Sequence, residues 1–117
     1  MIQSHKDLIV WQKSIKLVSL IYQCTKSFPK DELYGLVSQI RRAAVSIPAN
    51  IAEGRNRGTR KDYAHFLQMA YGSANELETL LIIARDLGYT QQLNKEIENL
   101  LVEVLKMLRV MLDKLRS

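Results

Sequence analysis

A chain of 117 residues, 47% of them apolar and 25% charged, has the size and balance of one packed domain and is too apolar for a disordered segment. No apolar run approaches the roughly 20 residues that span a bilayer, residues 1–7 lack the pattern of a signal peptide, and a single cysteine excludes both an internal disulfide and a cysteine zinc cluster. The expected location is the cytoplasm. The net charge of +5 is unevenly spread: Arg41, Arg42, Arg55, Arg57, Arg60 and Lys61 face one acid, Glu53, between residues 41 and 61, whereas the other eleven basic and eleven acidic side chains cancel.

The first helix is expected to begin near Lys6. Leu8, Trp11, Ile15, Val18 and Tyr22 recur at steps of three and four, the spacing of one helix face, and Leu17, Leu20, Ile21 and Cys24 widen the stripe. Cys24 reads there as a small core hydrophobe. Phe28-Pro29 stops the helix, because proline disfavours helical geometry in the residue before it. The second helix is expected directly after Pro29, with Asp31 and Glu32 in its first turn, where carboxylates complement exposed N–H groups. Leu33, Leu36, Ile40, Ala44, Ile47 and Ile51 carry the rhythm through Pro48. That proline removes one backbone hydrogen bond and crowds the Ala44 carbonyl, so a kink is expected there. Gly54 is expected to cap the helix, and Arg55 to Gly58 to form a tight basic connection.

Thr59 and Asp62 open the third helix as a variant capping box. Tyr63, Leu67, Ala70, Ala74, Leu77, Leu81, Ala84 and Gly88 form its heptad stripe, with Ala70, Gly72, Ser73 and Ala74 small enough to admit another backbone. Gly88 ends it, and Thr90 is expected to cap a fourth helix over residues 91–116. That helix carries one stripe of Leu93, Ile97, Leu100, Val104, Met107, Met111 and Leu115 and a second of Leu101, Leu105, Leu108 and Leu112. So broad a surface exceeds what one side of a bundle needs and suits a subunit interface. With no strand signal, repeat or long linker, the expected fold is all-α: an antiparallel up-down-up-down four-helix bundle, kinked at Pro48 in its second helix.

Converging catalytic groups are absent from the pattern. His5 and His65 lie on different helices, outside any HExxH or Glu-x-x-His pair that builds metal sites in bundles. Asp62 and His65, three apart, read as a surface pair rather than a catalytic dyad. Gly54-x-x-x-Gly58 lacks the Lys-Ser/Thr of a phosphate loop, and Ser46 reads as backbone support near Pro48 rather than as a nucleophile. No enzymatic activity, cofactor or metal is expected.

The run Gln39-Ile40-Arg41-Arg42-Ala43-Ala44-Val45-Ser46-Ile47-Pro48-Ala49-Asn50-Ile51-Ala52-Glu53-Gly54 resembles the signature of bacterial four-helix bundle proteins encoded in intervening sequences of 23S ribosomal RNA genes. Asp7-Leu8-Ile9-Val10-Trp11-Gln12-Lys13 is similar to that family's opening. Tyr63 to Leu67 and Ala70 to Thr79 are similar to its third helix, departing at Tyr71 to Asn75, where the family varies. The resemblance covers most of the chain. It implies a ring-like homopentamer without catalytic activity and a role with nucleic acid, and it extends to the accessory variability proteins of diversity-generating retroelements, basic pentamers that work with a reverse transcriptase and RNA. Pro48, Ala49, Ala52 and Gly54 read as kink, close-packing and cap residues, and Asn50 and Glu53 as ties to nearby backbone or to Arg55 or Arg57.

The leading functional expectation is binding of RNA or another single-stranded nucleic acid through phosphate contacts from Arg55, Arg57, Arg60 and Lys61, with Arg41 and Arg42 as additions. The planar arginine fork suits phosphate because it donates two hydrogen bonds at once. Arg41 stands about 20 Å of helix from Gly54, so the six charges are expected in two patches. The runner-up is a protein-binding adaptor that docks a reverse transcriptase or another nucleic-acid enzyme. A helix-turn-helix reading fits poorly, since the chain offers long heptad helices rather than a short recognition helix.

Overall fold

The computed structural model describes residues 4–90 and 95–117. Within them lie α1 (Ile9–Thr25), α2 (Leu36–Asn56), α3 (Arg60–Asp86) and α4 (Lys95–Arg116), with 3-10 turns at His5–Asp7 and Lys30–Glu32. Each helix packs on its neighbours in the chain and α1 closes on α4, giving an all-α four-helix bundle of 43 × 25 × 23 Å. Along three of the four seams one residue number rises as its partner's falls. His5 meets Asn56 while Thr25 meets Arg41, Ser46 meets Ser73 while Gly54 lies against Phe66, and Lys13 pairs with Glu103 while Lys16 pairs with Glu96. Among the described residues no helix is long and apolar enough to cross a membrane.

The core stripe of α1 is Val10, Ser14, Leu17, Ile21 and Thr25, rotated from the expected face, and Ile15 and Tyr22 are exposed. Two hydroxyls explain the shift. Ser14 Oγ donates to the Trp11 carbonyl at 2.7 Å and Thr25 Oγ1 to that of Ile21 at 2.8 Å, so each polar side chain is satisfied by its own helix and can be buried. The helix also starts later than expected. Residues 5–7 form a turn in which Ser4 Oγ accepts from Lys6 N–H and Asp7 accepts from Ser4 N–H, and the chain then extends at Leu8.

The second helix begins at Leu36 rather than directly after Pro29. Residues 30–32 make their own turn, and the Glu32 carboxylate reaches forward to the Leu36 N–H at 3.4 Å and across to the Tyr89 hydroxyl at 2.9 Å. Glu32 thus serves the helix from outside it. Beyond Leu36, α2 runs through Pro48 without interruption. One turn around that proline, Asn50 Nδ2 donates to the Ser46 carbonyl at 2.8 Å and to Ser46 Oγ at 2.9 Å, and Ser73 Oγ donates to the same hydroxyl at 2.8 Å.

Gly54 is not the cap. The helix continues to Asn56, and Gly54 is buried where a Cβ would stand 2.8 Å from the Phe66 Cβ and 3.3 Å from Tyr63. Only a residue without a side chain admits α3 so closely. Ala43, Ala44, Ala70 and Ala74, all buried, continue this tight seam, while Ile40, Ile47, Ile51, Leu67 and Leu77 fill the interior beside it. Each such large side chain contributes about 1.5–3 kcal/mol by leaving water.

Thr59 caps α3 as expected, its Oγ1 accepting from the Asp62 N–H at 3.1 Å. The far end closes with Gly88 at φ +78, where Gly88 N–H donates to Arg85 and Tyr89 N–H to Ala84, a paired arrangement that satisfies the last carbonyls. The cap expected from Thr90 falls on residues 91–94, which lie outside the described residues. In α4 the buried stripe is Ile97, Leu100, Leu101, Val104, Leu108 and Leu112, drawn from both expected stripes, with Met107, Met111 and Leu115 half-buried.

Candidate nucleic-acid interface

The connection from α2 to α3 is Arg57, Gly58 and Thr59, and Gly58 at φ +88 turns the chain in a conformation that side chains rarely tolerate. The basic residues around it have distinct occupations. Arg57 Nε donates to Glu53 at 2.7 Å, one turn back, and its guanidinium lies 5.0 Å from the centre of the Phe66 ring. Arg55 is half-buried beside Tyr63, whose hydroxyl is pushed up by burial and partly drawn back by the arginine charge. Arg60 donates from Nε to the Leu115 carbonyl at 3.0 Å and from its outer nitrogen to the Lys114 carbonyl at 2.6 Å. It therefore closes the exposed carbonyl end of α4, where the helix dipole is negative. Lys61 is exposed, one residue further on.

Arg41 and Arg42 lie elsewhere, and they differ from each other. Arg41 is half-buried: its Nε donates to Thr25 Oγ1 at 2.9 Å, it reaches the Tyr22 carbonyl at 3.4 Å, and it sits 4.5 Å from the centre of the Tyr22 ring. It clamps the end of α1 onto α2. Arg42 is exposed along a groove of ≈ 690 Å³ that Gln39, Ser46, Ser73 and Glu76 also line. From Arg42 to Asn56 the helix rises about 21 Å, so the structure keeps the six sequence candidates in two groups. It does not bring them to one surface.

What it brings together instead is the start of α3 and the end of α4. Lys61, Ala64 and His65 line one wall of a groove of ≈ 570 Å³, with Leu115 and Arg116 on the other and Arg60 joining the two. Among the described residues no Asp or Glu side chain lines it. Arg116 lies 55 positions beyond Lys61 and was missed in the sequence because the charges outside residues 41–61 cancel in number. The available signal was order: when successive helices reverse direction, the last turn of the fourth must meet the first turn of the third. His65, held by a T-shaped ring contact of 5.2 Å with Phe66, was weighed in the sequence as a metal ligand and as a partner for Asp62, and not as a nucleic-acid contact.

This arrangement can attract an anion and hold a planar group, and it contains no nucleophile paired with a base. Among the described residues no group of three His, Cys, Asp or Glu side chains is placed to hold a metal ion. Cys24 is half-buried, and its thiol is pushed up by burial, away from the reactive thiolate.

No curated protein matches the chain. The family model described as 23S rRNA-intervening sequence protein matches residues 6–110, which contain all of α1, α2 and α3 and most of α4. With that match extending over nearly the whole bundle, the chain belongs to the 23S rRNA-intervening sequence protein family.

Proposed function

We propose that the protein is a non-catalytic, cytoplasmic bundle that binds RNA through its phosphates at the groove between the start of α3 and the end of α4. The observation that carries this reading is the groove's lining: Lys61 and Arg116 face solvent there, no acid opposes them, and Arg60 covers the carbonyls that would repel phosphate. Arg55, Arg57, Arg41 and Arg42 then supply background charge rather than the central contacts. A gel-shift of the isolated protein on RNA at several salt concentrations tests this. Affinity should fall steeply with salt, since each neutralised phosphate on a single strand contributes about −0.7 to the log-log slope; no binding at low salt defeats the reading.

Self-association, as a homopentamer, belongs to the same proposal. It is supported by apolar surface left outside the core: Ile9 and Val110, at 58% and 53% exposed, flank a groove of ≈ 640 Å³ with Leu8, Met107 and Met111. Light scattering should give about five times the 13.5 kDa chain mass. A bend at Pro48, expected from the sequence, would set how subunits meet, so Pro48→Ala, which restores an N–H to the Ala44 carbonyl, should shift that mass. An unchanged assembly would remove Pro48 from the account.

The adaptor reading, in which the bundle docks a reverse transcriptase or another nucleic-acid enzyme, is favoured by one feature. Tyr34 is 92% exposed beside exposed Leu33, on the turn held by Glu32 at the end away from the basic groove. It expects little RNA binding by the protein alone.

A further inference from the structure

We infer that the groove between α3 and α4 takes one unpaired nucleotide, its base lying against His65 over Ala64 and Leu115 and its phosphates on Lys61 and Arg116. This rests on the RNA-binding reading and narrows it from phosphate attraction to recognition of a base. Three observations carry it.

The first is the mixture of surfaces. A site that only attracted phosphate would need charge alone, yet each cationic wall also carries apolar surface, Ala64 beside Lys61 and the half-buried Leu115 beside Arg116. Apolar and aromatic surface beside basic side chains is the combination that receives an exposed base, because every base has a flat face to bury and a phosphate on either side. The second is the setting of His65. Its exposed ring is steadied by the contact with Phe66, which is itself covered by the Arg57 guanidinium, so an aromatic surface is held at the groove before any ligand arrives. The third is access. The groove is open to solvent along the bundle end, so an unpaired strand can lay a base in it, and a duplex, whose bases are stacked inside, offers nothing to enter it. Arg60 is a positioning residue here: its bonds to the Lys114 and Leu115 carbonyls fix Leu115 and Arg116 opposite Lys61.

The test compares three labelled probes of equal length at one salt concentration by fluorescence anisotropy: single-stranded RNA, the same strand annealed to its complement, and an abasic strand with the same phosphate spacing. The full chain and its His65→Ala and His65→Tyr variants are used. The single strand should bind at least about tenfold more tightly than the abasic strand, and His65→Ala should remove most of that difference while leaving the abasic strand's affinity unchanged. His65→Tyr, which keeps a ring, should retain it. Equal binding of base-bearing and abasic strands, with His65→Ala without effect, overturns this inference and leaves phosphate binding standing. Absence of binding to all three probes overturns both. His65 is exposed, so the melting temperature of each variant should match the parent and show that the comparison is between folded proteins.

Discussion

At one end of the bundle Arg41 closes α1, and at the other Arg60 closes α4; both place a guanidinium against the last carbonyls of a neighbouring helix. Their surroundings separate them. Arg41 is half-buried under Tyr22, and its end of the molecule carries Asp31, Glu32 and Asp86, which offset Lys26, Lys30 and Arg85, together with exposed Leu33, Tyr34 and Leu87. Arg60 lies at an end that also holds Lys61, Lys114 and Arg116, so cations remain after the helix has been closed. Charge near a helix end is thus first a structural device, and only the surplus is available to a ligand.

Forcing the basic end apart should have the largest effect. Gly54→Val inserts a branched side chain where even a Cβ would stand 2.8 Å from Phe66, and neither helix backbone can yield cheaply. A loss of about 3 kcal/mol is expected, seen as a melting temperature lower by roughly 10 °C or more. A variant that melts like the parent would show that the α2–α3 seam is looser than described.

How much of this contrast was legible in the sequence varied with the kind of interaction. Periodicity found all four helices, and the Thr59 and Gly88 ends followed from local chemistry. The face of α1 was misplaced because large apolar residues mark two adjacent stripes, while the buried one contains Ser14 and Thr25, whose hydroxyls find carbonyls on their own helix. Gly54 was taken for a cap because glycine suits both a helix end and a close approach, and only the position of Phe66 decides. Likewise the sequence separated the six basic residues only by position, into Arg41 and Arg42 on one side and Arg55, Arg57, Arg60 and Lys61 on the other. Their occupations depend on Thr25, Tyr22, Lys114 and Leu115, which are distant in sequence.

Removing each helix-closing arginine sharpens the comparison. Arg41→Ala should cost about 1–2 kcal/mol, because partly buried hydrogen bonds and a contact with an aromatic ring are lost together. Arg60→Ala, at an exposed site, should cost about 1 kcal/mol or less in stability. RNA affinity should respond in the opposite order, falling with Arg60→Ala and holding with Arg41→Ala. Gel-shifts and thermal melts on the same samples read both; equal loss of RNA affinity in the two variants would break the assignment of the groove.

A smaller stability change, with a larger binding change, is expected from Lys61→Ala combined with Arg116→Ala. Neither side chain holds the fold, so each should alter stability by no more than about 0.5 kcal/mol. Two lost phosphate contacts should reduce the magnitude of the salt slope by about 1.4. A slope unchanged by the double variant would move the interface to Arg42 and its groove.

The smallest effect separates the two ends by pH, through one tyrosine at each. Tyr89 donates to Glu32 at 2.9 Å, and this bond, with burial and the nearby acids, raises its hydroxyl above the ordinary tyrosine range. Tyr63 at the basic end is raised by burial, but Arg55 opposes the shift. A raised folded-state value means the unfolded chain ionises first as pH increases. The contribution of each tyrosine is therefore fully present below the unfolded value near 10 and is lost as pH rises through the folded one. Tyr89→Phe should lower the melting temperature at neutral pH, where the bond to Glu32 is intact, and its melting temperature should then fall less than the parent's between pH 9 and pH 11, ranges chosen about the ordinary tyrosine value of roughly 10. Tyr63→Phe, which removes a hydroxyl whose causes oppose each other, should change the alkaline slope less. If the two variants trace the same curve, the Glu32 bond does not hold the turn carrying Leu33 and Tyr34, and that end is no more tightly tied than the basic one.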